Sequence, residues 1–128
     1  MPRIYAAFFA FGTLCLLVGM TIGMIMGGSG DFTVMPAHAH LNLLGFVVMC
    51  IYGVFYALTR EILDCKLAWA NFGLSAAGVI VMIPSLAIML KSGDTALEPL
   101  VGIGGGLCML GLIVFAVSVF KELARSRT

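Results

Sequence analysis

The chain has 128 residues, of which 62% are hydrophobic and 10% are charged, and its mean hydropathy is +1.14. This composition excludes a soluble globular domain, where about 25% of the residues carry a charge. The formal net charge of +1 gives no reason to expect a nucleic-acid partner. We therefore expect an integral membrane protein in contact with a lipid bilayer.

Four apolar runs of roughly 21 to 24 residues account for nearly the whole chain, and each is long enough to span the hydrocarbon core of a bilayer. They predict an all-α membrane protein with a single four-helix domain over residues 1–128. The predicted helices cover residues 4–26, 37–58, 67–90 and 100–120. Any chemistry is therefore expected within or between the helices.

Gly19 and Gly23 lie four residues apart on one face of the first predicted helix, which allows another helix to come close. We interpret this pair as a packing feature in preference to a cofactor contact. The segment from Gly27 to Pro36 is predicted to be a loop, because its glycines free the backbone. Pro36 suits the first turn of the next helix.

The second predicted helix holds both histidines of the chain, His38 and His40, close to its start. At about 100° per residue the two side chains point about 200° apart, to opposite faces of the helix. One face, which we expect to line a site, carries His38, Asn42, Gly45, Met49, Tyr52 and Tyr56. The opposite face carries His40, Val47, Ile51, Val54 and Leu58. The two histidines are therefore placed to serve two different sites.

The charged link over residues 59–66 is short, which predicts that the second and third helices are antiparallel neighbours. Pro84 is expected to kink the third helix, with Ser85 or a neighbouring helix meeting the carbonyl that it frees. The fourth helix opens with a glycine cluster that predicts close helix contact. Its members are Gly102, Gly104, Gly105 and Gly106.

Six of the seven basic residues fall on one side of the predicted membrane, against Lys91 alone on the other. These six are Arg3, Arg60, Lys66, Lys121, Arg125 and Arg127. The positive-inside rule then predicts that both termini are cytoplasmic and that the histidines lie near the outer surface. Taking the membrane to be a bacterial inner membrane, this is the periplasmic side.

Two interpretations of the histidines remain open. They are either metal ligands or interfacial residues whose rings bond to loop carbonyls and lipid headgroups. The ligand interpretation is favoured because polar groups at membrane depth cost free energy, and His38, His40 and Asn42 lie within five residues. Imidazole suits both haem iron and copper, and no predicted helix offers a carboxylate for a di-iron or catalytic zinc site.

The segment His38-Ala-His40 followed by Leu-Asn-Leu-Leu-Gly45 resembles the His-x-His helix of haem–copper oxidase subunit I. In that family one histidine of the pair binds the low-spin haem and the other binds the high-spin haem, on opposite sides of the helix. Subunit I of the family has twelve helices arranged as three arcs of four, with the ligand-bearing helix second in each arc. The histidines here also lie on the second of four predicted helices.

The resemblance implies a homotrimer of twelve helices in which haem b is held between His38 of one chain and His40 of its neighbour. Asn42 would hydrogen bond near a ligand, and Gly45 would let the flat macrocycle approach the helix. The family's copper centre needs three further histidines, and this chain has none left. We therefore expect no catalytic residue and no complete oxidase.

Electron transfer or haem binding, with a redox partner or quinol, is the expected function, because bis-histidine haem has no open iron position. An alternative is a copper-handling membrane protein that binds copper through Met35, His38 and His40, since thioether and imidazole suit Cu(I). A third interpretation is a cofactor-free subunit whose glycine faces dock on a larger assembly.

Overall fold

Four long helices make up the part of the chain that the computed structural model describes, residues 3–59 and 65–126. The helices are α1 (Ile4–Ser29), α2 (Met35–Thr59), α3 (Cys65–Ser92) and α4 (Glu98–Ser126). All four are long and apolar enough to cross a membrane, and these ranges contain no strand. The all-helical, four-span fold class that the hydropathy predicts is confirmed at this level.

The end of α1 differs from its predicted position. The helix runs through Gly27 to Ser29 and closes at Gly30, whose φ is 74° and whose N–H donates to the Met26 carbonyl at 2.9 Å. The loop, which was predicted to begin at Gly27, thus begins three residues further along the chain, at Gly30. The reason is that glycine weakens a helix without necessarily ending it. The left-handed residue that ends α1 is Gly30. Pro36 lies in the first turn of α2, as predicted.

The helices associate most extensively as two pairs, α1 with α2 and α3 with α4. The links within these pairs, residues 30–34 and 93–97, lie at the same end of the bundle, where Lys91 Nζ is 3.7 Å from Asp31 Oδ2. Both side chains are more than half exposed, so this ion pair contributes little stability. Of the charged link predicted over residues 59–66, residue 59 ends α2 and residues 65 and 66 begin α3, whereas residues 60–64 lie outside the described residues.

The contact between α3 and α4 depends on glycine. A Cβ atom added at Gly104 would lie 2.6 Å from Met82 Cβ, and one at Gly78 would lie 2.7 Å from the Gly104 carbonyl oxygen. The two backbones approach closely because neither glycine carries a side chain. The predicted close contact is therefore right for Gly104. An added Cβ at the other three glycines of that cluster would meet no atom of residues 3–59 or 65–126 within 4 Å.

Aromatic side chains fill the end of the bundle away from the two described links. Phe8 is fully buried, stacks on Tyr56 with ring centroids 5.5 Å apart, and meets Tyr52 and Phe72 edge to face. The ring centroids of Phe115 on α4 and Tyr52 on α2 are 4.5 Å apart, so the cluster joins all four helices. Large apolar side chains on the outside of the helices remain exposed, as contact with a lipid bilayer requires.

Helix α3 continues across Pro84. The Ser85 hydroxyl donates to the Val81 carbonyl at 2.7 Å, a bond within its own helix. Pro84 leaves the carbonyl of Ile80 without its usual donor. Because Ser85 bonds to Val81 instead, it is not the partner of that carbonyl, and a neighbouring helix is the alternative that the prediction leaves. Bonds of this kind to the preceding turn bend helices slightly.

Candidate functional site

Helix α2 changes its winding directly after the histidines. It is α-helical up to His40, π-helical over Leu41–Val47, and α-helical again from Val48. The π-helical segment contains Asn42 and Gly45, and π-helical turns occur frequently at functional sites. Hydrophobic periodicity does not predict this change, because an apolar sequence is compatible with either winding.

The two histidine rings diverge as the helical period predicts. His38 is half-buried against α1, with Nδ1 2.8 Å from the Gly19 carbonyl oxygen. His40 is exposed on the other side, with Nδ1 2.7 Å from the Pro36 carbonyl oxygen. A carbonyl oxygen only accepts, so Nδ1 carries a proton in both rings, and the nitrogen that can offer a lone pair to a metal is Nε2. Metal-binding histidines have this arrangement.

Gly19 and Gly23 of α1 form a notch that receives polar side chains of α2. A Cβ at Gly23 would lie 2.8 Å from His38 Cε1, and a Cβ at Gly19 would lie 1.7 Å from Asn42 Oδ1. The close approach expected of this glycine pair is therefore present. Its partners are His38 and Asn42, which the sequence alone does not indicate.

Asn42 contacts the ring of His38 at the nitrogen that carries the lone pair. Its Nδ2 lies 3.5 Å from His38 Nε2, at the limit of a hydrogen bond. Its Oδ1 is buried and has no hydrogen-bond partner among the described residues. A buried acceptor without a donor costs about 1–3 kcal/mol. The Gly19 carbonyl thus orients the His38 imidazole. The Asn42 amide lies beside His38 Nε2, the nitrogen to which a metal would bind.

Gly45 packs against α1. A Cβ at this position would lie 2.7 Å from Cys15 Cβ and 2.8 Å from Cys15 Sγ. The space beside Gly45 is therefore filled within the single chain, and the expected approach of a macrocycle to this glycine is not met there. A small residue is required at this position, but its neighbour is a cysteine of α1.

A groove of about 380 Å³ lies beside His40 and opens to the outside of the bundle. Its walls come from α2, α3 and α4 and include His40, Leu44, Tyr52, Met82, Gly105 and Leu112. The lining is mainly apolar, with His40 as its only imidazole among the described residues. A groove with these properties is suited to a largely apolar ligand that has one group able to bind the His40 imidazole.

His38 and His40 are the candidate metal ligands of this site. A protein-bound zinc or copper ion usually needs three or four side-chain ligands. The described residues contain no group of three or more histidine, cysteine, aspartate or glutamate side chains that could hold one. Haem iron takes four ligands from its macrocycle and needs only one or two from the protein, which His38 and His40 can supply.

A second buried polar group lies at the other end of the bundle. Asn71 is fully buried, donates to Tyr56 Oη at 3.1 Å and accepts from the Ser75 hydroxyl at 2.7 Å. An asparagine inside an apolar run is a signal for such a group, because it must find partners there. Asn71 lies within the third helix predicted over residues 67–90, but hydropathy alone gives it no such role. Bonds of this kind hold membrane helices together.

Comparisons with protein-family models, with curated proteins and with solved structures found no match to this chain.

Proposed function

We propose that the chain is a haem b-binding membrane protein in which His38 and His40 are axial iron ligands, and that it serves electron transfer or haem binding. Three copies would form a ring of twelve helices, resembling the three arcs of haem–copper oxidase subunit I. The observation that carries the proposal is that each ring holds Nδ1 against a backbone carbonyl, which leaves Nε2 as the nitrogen for a metal, and that His38 lies against α1 whereas His40 lines the groove beside α3 and α4.

The opposite directions of the rings explain why an assembly is needed. One chain cannot place both Nε2 atoms on a single iron, but His38 of one chain and His40 of a neighbour can meet across an interface. Such a head-to-tail interface closes into a ring when the rotation between copies fits. A closed trimer then has three such pairs of histidines. The trimer therefore uses both histidines of every chain.

The residues around the ligands would orient them and exclude water. The carbonyls of Gly19 and Pro36 hold the two rings and increase the basicity of Nε2. The apolar groove beside His40 would cover one face of the macrocycle. Haem supplies one-electron redox chemistry, and two histidine ligands leave no open iron position for a substrate.

The proposed location is a bacterial inner membrane, with both termini in the cytoplasm and the histidines near the periplasmic surface. The basis is the concentration of basic residues in the terminal segments and the α2–α3 link. A membrane quinol or another redox protein would then exchange electrons with the haem.

The test is the visible spectrum of the protein purified in mild detergent after expression with haem. We expect sharp α and β bands on dithionite reduction for the wild type. His38→Ala and His40→Ala should each lose these bands, because one axial ligand is removed. Met35→Leu is the matched control, since Met35 lies in the same helical segment and should leave the spectrum unchanged.

Refolding the two histidine variants together tests whether neighbouring chains share the haem. In an equal mixture about a quarter of the interfaces pair an intact His38 with an intact His40, so about a quarter of the wild-type band should return. Full haem binding by either single variant would contradict the proposal. A featureless spectrum from folded, haem-supplied protein would also contradict it, and would favour the copper or cofactor-free alternatives.

A further inference from the structure

The groove beside His40 contains two polar groups that lack hydrogen-bond partners among the described residues. His40 lines it near the start of α2, and because Nδ1 is bonded to the Pro36 carbonyl, Nε2 of the neutral ring remains as an acceptor. Tyr52 lines it farther along the same helix, and its hydroxyl bonds to no residue in the described part of the chain. The groove therefore has an open hydrogen-bonding group at two separate points.

The Tyr52 hydroxyl is open to the groove although the residue as a whole is buried. Tyr52 is only 4% exposed, and its ring is fixed between Phe8 and Phe115. Among the described residues, Asn42 Oδ1 is the one fully enclosed side-chain oxygen or nitrogen without a partner, so the unpaired Tyr52 hydroxyl must reach the protein surface. The groove is the surface that Tyr52 lines. An unpartnered hydroxyl at this depth is unfavourable, and a ligand oxygen at this point would remove that cost.

The rest of the groove defines the ligand that fits it. His40 and Tyr52 are roughly 18 Å apart along the helix axis, by the rise of about 1.5 Å per residue. The walls between them are apolar and include Leu44, Met82 and Leu112, and no charged side chain of the described residues lines the groove. A charged headgroup would therefore find no counter-charge there. The hydrocarbon tail of a bilayer lipid would fill the walls but would leave both polar groups unpaired.

We propose that the groove binds an uncharged, elongated apolar molecule from the bilayer that carries a hydroxyl group at each end. One hydroxyl donates to His40 Nε2, and the other shares a hydrogen bond with the Tyr52 hydroxyl. A hydroxyl group suits both points because it donates and accepts. The inference goes beyond the proposed function and does not use haem. An iron atom and a ligand hydroxyl would both occupy His40 Nε2, so the two kinds of ligand exclude each other.

The test titrates the α,ω-diol of dodecane into haem-free protein in lipid nanodiscs, with dodecane itself as the matched probe without hydroxyls. NMR follows the His40 Nε2 nitrogen and the Tyr52 Cζ carbon, because both signals shift when a hydrogen bond forms. We expect both signals to move and saturate together with the diol and to stay in place with dodecane. Tyr52→Phe should weaken diol binding about two- to tenfold, read at His40, which is the range that one hydrogen bond provides. His40→Leu should weaken it to a similar extent, read at Tyr52.

Tyr56→Phe is the matched control, because the Tyr56 hydroxyl is bonded to Asn71 and lies outside the groove. It should leave the affinity for the diol unchanged. Wild-type signals that do not saturate, or that respond equally to dodecane, would show partition into the lipid only and would overturn the site. Equal diol affinities of the wild type and the two groove variants would overturn it as well. The reduced visible spectrum tests the proposed function separately, so the two proposals can fail independently.

Discussion

At the scale of single residues, two asparagines in the apolar helices have opposite environments. Asn71 has partners at both ends of its amide, in Tyr56 and Ser75. Asn42 has one long contact and an oxygen that finds no partner in the described part of the chain. A fully bonded buried polar group stabilises one arrangement of helices, whereas an unsatisfied one calls for an explanation in function. We therefore assign Asn71 to stability and Asn42 to the site.

The structural role of Asn71 is testable with a double-mutant cycle. Asn71→Ala and Tyr56→Phe should each lower the free energy of unfolding in detergent, because each removes the hydrogen bond between α2 and α3. We expect a coupling energy of about 0.6 kcal/mol, and no more than about 1.7 kcal/mol, as for other bonds between membrane helices. Unfolding by a denaturing detergent measures all four proteins. Strict additivity of the two single effects would show that the bond contributes nothing.

At the scale of helices, the glycines of α4 divide by the face on which they lie. Gly104 is buried against Met82 and Gly78, whereas Gly106 is exposed and an added Cβ there would meet no described atom within 4 Å. The sequence presents them as members of one cluster. Only the rotation of α4 about its own axis decides which glycine meets α3. The division explains why one glycine of the cluster makes the predicted contact within the chain.

Alanine substitutions on α4 should separate the two faces. Gly104→Ala places a Cβ 2.7 Å from the Met82 backbone nitrogen, which no side-chain rotation relieves, so we expect a loss of about 1–3 kcal/mol in unfolding free energy. Gly106→Ala is the matched control. It should be neutral or gain up to about 1 kcal/mol from helix propensity. Equal effects of the two substitutions, measured by denaturing-detergent titration, would contradict this assignment of faces.

At the scale of the whole molecule, the proposed trimer would set the haem content. Each chain would offer His38 to one interface and His40 to the next, so a closed trimer would have one complete ligand pair per chain. The histidines lie at the end of the bundle that also holds the links at residues 30–34 and 93–97.

Native mass spectrometry of the haem-loaded protein, released from detergent, measures this stoichiometry. We expect a trimer that carries three haems, because each of its three interfaces completes one site. His38→Ala should reduce the number of tightly bound haems while leaving the trimer intact if helix packing holds it together. A haem-loaded monomer, or a dimer with a single haem, would contradict the shared-ligand arrangement.

Hydropathy and periodicity determined the spans and the directions of the side chains in this protein. Four apolar runs of sufficient length predict four helices, since backbone groups in a bilayer must bond within their own segment. The helical period alone places His38 and His40 on opposite faces, because it depends only on their spacing. Pro36 marks the start of α2 through its fixed backbone geometry.

Only the tertiary structure decided which neighbour each of these side chains meets. The contact of His38 with the Gly19 carbonyl, that of Asn42 with the notch, and the Cys15 side chain beside Gly45 all depend on the depth and rotation of α1 against α2. Helix rotation is set by the packing of whole surfaces, which local sequence does not encode. The sequence therefore predicted a pair of candidate ligands, whereas the packing decided that one lone pair is open and the other is covered.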